Sequence, residues 1–296
     1  MFIRKLIVNA DDFGFNREVT DGIIQCHKHG CVTSTTLMAN KEAAEYAAEE
    51  SKKYPNLSVG IHFVLNGNGG RAVSDPDKIP ALVNPDGAFR SASEMVAAAK
   101  HFRLPIKQIE LELTAQVEKF LSFGITPTHC DSHHNLTVNP QPCIAMLRVA
   151  KRYNIKRMRT YRGLYLLDKS KGWKLNNFLR WLRINIARGP KTFCYELLHR
   201  YWQLKGYQLP DRKYGFYKVV SSSPLEYNLS DWVTVLQNLP DGISELVVHP
   251  GLPSNDPLDG IEFGKRRVLQ YELFSNPKTK KLCEECGVEL VNYEAI

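Results

Sequence analysis

The chain has 296 residues, of which 43% are hydrophobic and 24% charged, with a formal net charge of +8. These values describe an ordinary globular protein and exclude a disordered or fibrous one. No run reaches the roughly 18 continuous apolar residues of a membrane span, and the opening MFIRKLIVNADD meets carboxylates too soon for a signal peptide, so a cytoplasmic location is the expectation.

In chain order, apolar strand-like runs alternate with helical ones. LIVNADD (6–12) reads as the first strand, and residues 16–29 as a helix with Val19, Ile23, Ile24 and His27 on one face. VTSTTLMAN (32–40) is strand-like, KEAAEYAAEESKKY (41–54) an Ala-rich helix and LSVGIHFVL (57–65) a third strand. Residues 66–93 are rich in Gly, Pro, Asn and Asp and read as a long functional loop. Ile109, Leu113, Val117, Phe120 and Leu121 at helical spacing mark a helix over 106–124, ended by Gly124. THCDSHH (128–134) ends a further strand and a helix follows over 140–153. KRMRTYR (156–162), YGFYKVVSS (214–222), SELVVHP (244–250) and VELVNY (288–293) read as later strands. The repeated β-then-α order predicts an α/β fold with a parallel sheet inside helices, and the number of units suits a barrel better than a small open sheet.

The seven Cys form no framework, and the CxxC at Cys283 and Cys286 has no second pair beside it. It reads as two ordinary thiols at a helix end rather than a zinc site.

The chemistry-bearing residues gather at strand ends. Asp11 and Asp12 close the first strand, His62 the third, His129, Asp131, His133 and His134 another, and His249 a late one. In a parallel barrel those ends share one face, where active sites are built. Two His and one carboxylate can hold a divalent metal with positions left open. Such a metal activates water and polarises a carbonyl. A second carboxylate can then act as base, and a further His as proton donor. Adjacent residues of a regular strand point to opposite faces, so Asp11 and Asp12 reach one site only if the chain turns at Asp12. Each feature has a plain alternative: an N-cap for the Asp pair, a hydrogen-bonded core histidine for His62, a loop for HxxxH at 129 and 133. Together on alternating βα units, they favour a site.

The stretches LIVNADDFG, GCVTSTTLMAN, VGIHFVL, PTHCDSHHN and VVHPG resemble the YdjC-like family of carbohydrate deacetylases, which includes chitooligosaccharide and hopanoid-biosynthesis-associated deacetylases. They cover most of the first 160 residues and return near 245–251. The resemblance implies a distorted (β/α) barrel over residues 1–296 that removes an N-acetyl group from an amino sugar with the help of one divalent metal. By motif position it implies Asp12, His62 and His133 as metal ligands, Asp11 as general base and His249 as the group that stabilises or protonates the leaving amine. His129, Asp131 and His134 are then residues that orient the site or touch substrate, with His129 a substitute ligand. Magnesium and zinc both suit the donor set, and manganese and cobalt are admitted. Asn135 stands where many relatives carry a third His, which bears on substrate preference.

Residues 151–213 hold 17 Lys and Arg against Asp168, Glu196 and Asp211, a net of +14, while the remaining 22 basic and 28 acidic residues leave the rest at −6. Residues 163–213 do not match the core motifs and read as a basic, aromatic-rich helical insertion. Within it Leu175, Phe178, Leu179, Leu182 and Ile186 form an apolar stripe flanked by Trp173 and Trp181. Such a helix either packs on the barrel, forms a homodimer contact, or lies on an anionic membrane through residues 173–188, which would place the protein peripherally at the inner membrane surface. No nucleic-acid motif accompanies the charge, so nucleic acid is not expected as a partner. The expected function is a metal-dependent N-deacetylase of a chito-oligosaccharide or lipid-linked glycoside. The alternatives are a metal hydrolase on another amide or ester, and a catalytically silent barrel that binds a membrane or a partner.

Overall fold

The first strand, β1 (Arg4–Phe13), is buried from Leu6 onward on both faces in the computed structural model, which describes residues 4–67, 70–163, 166–167, 175–216, 219–220, 226–254 and 261–296. A central parallel strand covered on both sides reads as a nearly continuous apolar run, which is how LIVNA is written. The chain continues through α1 (Arg17–His29), β2 (Ser34–Leu37), α2 (Ala44–Ser51), β3 (Ser58–Phe63), α3 (Ala92–Lys100), α4 (Ile106–Ser122), β4 (Cys130–Ser132) and α5 (Pro140–Arg152). Then come β5 (Leu166–Leu167), α6 (Leu175–Ala187), α7 (Gly189–Leu204), β6 (Arg212–Gly215), β7 (Val219–Val220), α8 (Leu229–Asn238), β8 (Gly242–Val248), α9 (Ile261–Phe274), α10 (Lys278–Glu285) and β9 (Val288–Leu290).

The main sheet runs β4-β3-β2-β1-β8-β6, and all its registered pairs are parallel. β8 lies along one edge of β1; the other edge is shared, by β9 at Arg4–Leu6 and by β2 at Asn9–Phe13. The sheet curls. Its open side is spanned by the bridges Cys130–Met158 and Arg157–Gln208, and by Lys213 donating its backbone N–H to Arg162 at 2.7 Å. The result is the distorted α/β barrel expected, with helices outside and all β-strand C-terminal ends of the main sheet on one face.

Local chemistry sets the pieces that hold this face. Asn16 caps α1 by accepting the Val19 N–H at 2.8 Å, and α1 buries Val19, Ile23, Ile24 and Cys26. Gly22 lets α1 meet the loop after β8: a Cβ there would stand 2.8 Å from the Gly251 Cα. That loop is also tied by Leu252 N–H to Glu18 O at 3.1 Å and Gly251 N–H to Arg267 O at 3.2 Å.

Several elements differ from expectation. The strand expected over 32–40 is only Ser34–Leu37, and the helix over 41–54 only Ala44–Ser51. Residues 156–162 form bridges rather than a strand, because they span the barrel's open side and find a partner only at intervals. The run 214–222 lies partly outside the described residues; β6 and β7 fall at Arg212–Gly215 and Val219–Val220. The segment 66–93 is not a bare loop. Bridges Arg71–Ala88 and Val83–Phe89 fold it on itself, and buried Glu112 accepts the N–H groups of Val73 and Ser74 at 3.0 and 2.9 Å. Cys283 and Cys286 are both free thiols.

Candidate active site

The Asp pair reaches one site because the strand breaks its alternation. Asp12 has φ +67, the register of β1 on β2 shifts between Ala10 and Phe13, and Phe15 N–H closes a turn onto Asp12 O at 3.0 Å. Aspartate tolerates this left-handed backbone better than most residues. Gly14, with φ +80, continues the turn.

Around Asp12 three donor atoms converge. Asp12 Oδ1 stands 3.5 Å from His62 Nε2 and 3.2 Å from His133 Nδ1, and the two nitrogens are 3.3 Å apart. Ligand atoms around a divalent ion at about 2.0–2.2 Å lie about 3–3.6 Å from one another, so the spacing fits. Asp12 Oδ1 is buried yet accepts no hydrogen bond. A buried carboxylate oxygen without a donor calls for another positive partner. All three residues are buried. The donor set, two imidazoles and a carboxylate, is one that zinc and other divalent ions accept with positions to spare.

His62 is oriented from behind. Its Nδ1 donates to Asp131 Oδ1 at 2.6 Å; since a carboxylate only accepts, Nε2 is the ring nitrogen left to face the gap. Burial works against the charged ring, but Asp131, followed by Asp11 and Asp12, raises His62 to about 9. The pocket therefore favours positive charge between these carboxylates.

Asp11 sits beside this group in a second network. Arg159 donates to it in bidentate fashion at 2.8 and 2.6 Å, and Asn9 Nδ2 donates at 2.9 Å. Burial alone would raise the Asp11 carboxyl, but the Arg159 charge and hydrogen bonds hold it well below the usual carboxylate range. The same guanidinium reaches Asp131 and, through Nε, Glu245 at 2.8 Å. Asp12 is likewise depressed against its burial, by Arg267 and then His133.

His249, half-buried in the loop after β8, places Nε2 3.9 Å from Asp11 Oδ2, and its backbone N–H donates to Gln270 Oε1 at 2.7 Å. Burial lowers it, opposed by Asp11 and Asp12. His134 stacks on His133 with centroids 4.1 Å apart and faces the cleft; burial, then the His133 charge, lowers it to about 4.

His129 departs from expectation only in its strand position. It precedes β4 rather than ending it, and is absent from the Asp12–His62–His133 group. Its ring stacks on Tyr293 at 3.6 Å, and Nε2 donates to Asn9 Oδ1 at 3.2 Å. It supports Asn9, and through it Asp11, from below the site. β4 is short because His134 and Asn135 turn the chain with φ +54 and +53.

These groups line a cleft of about 440 Å³, within the usual range for small-molecule sites of about 300–1,000 Å³. Phe15, Tyr214, Phe216, Tyr227 and Phe263 supply aromatic walls. Lys213 enters from β6 and donates to Asn135 Oδ1 at 2.6 Å. Among the described residues, none of 66–93 lines this cleft. The sequence reading missed Arg159, Arg267, Gln270 and Lys213. Arg159 left a faint signal, a cation inside a run expected to be buried strand; the two α9 residues left none.

The family model described as YdjC-like protein matches residues 5–285. A carbohydrate deacetylase of Brevibacillus brevis is 41% identical over 293 residues, 99% of both chains. One of Geobacillus stearothermophilus is 46% identical over 152 residues, 51% of this chain and 58% of that relative. In that match, and in one to a Halalkalibacterium halodurans carbohydrate deacetylase (62% of the relative), the chain spans less than two thirds of the relative's length. A chitooligosaccharide deacetylase of Proteus mirabilis is 43% identical over 132 residues, covering 44% of this chain and 49% of the relative. Among solved structures, a provisional cellobiose-phosphate cleavage protein of Enterococcus faecalis superposes with TM-score 0.75 at 26% identity, covering 99% of this chain and 98% of that one.

Proposed function

The chain belongs to the YdjC-like family, and from that premise we propose that it is a metal-dependent deacetylase that hydrolyses the N-acetyl group of an amino sugar to acetate and a free amine. The observation that carries the reading is the convergence of Asp12 Oδ1, His62 Nε2 and His133 Nδ1 within 3.2–3.5 Å of one another beside an ionised Asp11. The names of the similar proteins supply the substrate class, an acetylated carbohydrate.

Asp12, His62 and His133 would hold the cation, zinc or magnesium by their chemistry. When bound it would polarise the acetamide carbonyl and acidify water at the open positions. Asp131 fixes the tautomer and direction of His62. Asp11, kept ionised and immobile by Arg159 and Asn9, accepts the proton from the attacking water. His249, 3.9 Å from Asp11, passes a proton to the amine nitrogen as the C–N bond breaks. The aromatic walls exclude water from the reacting amide and offer faces to the apolar side of a pyranose ring.

The test is acetate release from N,N′-diacetylchitobiose by the purified protein, with chelator and with metal added back. Chelator-sensitive release, abolished in His133→Ala with the fold retained, supports the proposal. Release from simple esters but from no N-acetyl sugar would overturn it in favour of another hydrolase.

A further inference from the structure

Helix α7 is apolar on two opposite faces, and the barrel covers only one of them. Its inner face sets Tyr195, Leu198 and Trp202 against the core, Trp202 being 1% exposed, while His199 Nδ1 meets Thr160 Oγ1 at 2.8 Å. On the other side Phe193, Leu197, Tyr201 and Leu204 follow one another at spacings of four, four and three, and all are exposed, Phe193 by 63% and Leu204 by 86%. At 100° per residue these four fall within an arc of about 80°. A helix that is apolar all round is normally buried all round.

The preceding helix repeats the pattern. Leu175, Leu179 and Ile186 are exposed on α6, again along one stripe, with Leu182 half-buried between them. Arg183 lies beside this stripe with Arg180 farther round the helix, and Arg200 and Lys205 lie beside the stripe of α7. Residues 175–205 hold six cations (Arg180, Arg183, Arg188, Lys191, Arg200, Lys205) against one acid, Glu196. That acid is already engaged by Arg162 and Arg200 at 2.6 and 3.3 Å. Lys205 Nζ sits 5.4 Å above the Tyr201 ring, at the border between the apolar stripe and the cations.

We infer that the outer faces of α6 and α7 form a docking surface for an anionic lipid bilayer. The charge selects the partner. A second copy of the chain would bring six cations against six, whereas a leaflet with anionic headgroups complements them, and the apolar stripes enter the boundary between headgroup and acyl chain. The attachment is peripheral, since among the described residues no helix is long and apolar enough to cross a membrane. Trp173, expected to flank this surface, lies outside the described residues.

The full-length protein is to be sedimented with vesicles of phosphatidylglycerol and phosphatidylcholine in equal parts, and with vesicles of phosphatidylcholine alone. The expected result is binding at least about tenfold tighter to the anionic vesicles, weakening as salt is raised. The doubly substituted Phe193→Ser, Leu197→Ser protein and the Arg180→Glu, Arg183→Glu protein should each lose binding by about tenfold or more, with unchanged melting, because these side chains face solvent. Leu111→Ser, at an exposed apolar residue of α4, should bind normally. Equal binding to both vesicle types, no binding to either, or an equal loss in Leu111→Ser would overturn the inference. So would a concentration-dependent dimer in analytical ultracentrifugation that the same two double variants dissociate, since a second copy would then cover the face.

Discussion

Arg267 Nη2 donates to Asp12 Oδ2 at 2.7 Å, leaving Asp12 Oδ1 to face His62 and His133. One carboxylate is thus divided between a fixed cation on α9 and the proposed metal gap. Arg267 is 2% exposed, with its guanidinium 4.5 Å from the Phe263 centroid and 5.3 Å from that of Phe15. Replacing it with Met leaves a buried negative charge without its partner, a change that costs about 3–5 kcal/mol. Urea denaturation in chelator should show that loss for Arg267→Met. Divalent metal should recover part of it, because a cation at Oδ1 supplies charge compensation to the same carboxylate. An unchanged urea midpoint would show that Asp12 does not depend on Arg267.

Metal removal itself is the second expectation. An ion that binds only the folded chain at 100 times its dissociation constant adds about 2.7 kcal/mol of stability. Chelator should therefore lower the melting temperature of the wild type and leave His62→Ala and His133→Ala unmoved. Asp131→Asn keeps an acceptor beside His62 Nδ1 but loses the charge, and should weaken metal affinity by about 10–100-fold, read by competition against a chromogenic chelator. Affinity within twofold of wild type would separate Asp131 from the metal site.

Gly60 makes room for His129. A Cβ at Gly60 would lie 2.6 Å from the ring of His129, which is itself wedged between β3 and Tyr293. Gly60→Ala should cost about 1–3 kcal/mol through overpacking. The same displacement moves the Asn9 amide that holds Asp11, so turnover should fall along with stability. Gly60→Ala with wild-type stability would mean that the His129 ring has slack that the packing does not indicate.

His199 gives a pH dependence outside the cleft. Its ring is lowered from the ordinary value, first by burial and then by the Arg162 charge, with Glu196 and Asp211 opposing and Arg212 assisting. A depressed histidine is neutral in the fold and titrates at higher pH in the unfolded chain. Its contribution is complete above the unfolded value of about 6.5 and is lost as pH falls through the lower folded value. Urea midpoints should therefore drop between pH 7 and pH 5, and the drop should shrink in His199→Gln. An identical pH slope in the variant would assign the acid sensitivity to other groups.

Much of the site could be read from residue order because strand ends are local features. Asp11, Asp12 and His62 each close an apolar run, and the need for a turn at Asp12 followed from strand alternation alone; the φ of +67 meets it. What the sequence hid was set by approach across the fold. Arg159 sits in a segment that only bridges its neighbours, where three carboxylates from β1, β4 and β8 draw it inward. Arg267 and Gln270 project from α9 and reach Asp12 and His249 only across the fold. The strand position of His129 was misread because β4 is three residues long, so a histidine counted at its end stands before its start.

The shared edge of β1 has a consequence for biogenesis. β1 precedes its neighbours β8 and β9 by a long stretch of chain, since they begin at Gly242 and Val288. During translation, this strand waits with one edge open while more than two hundred residues are added. An unpaired strand of that kind recruits other chains. Prematurely terminated chains lacking β8 should be the species that aggregate.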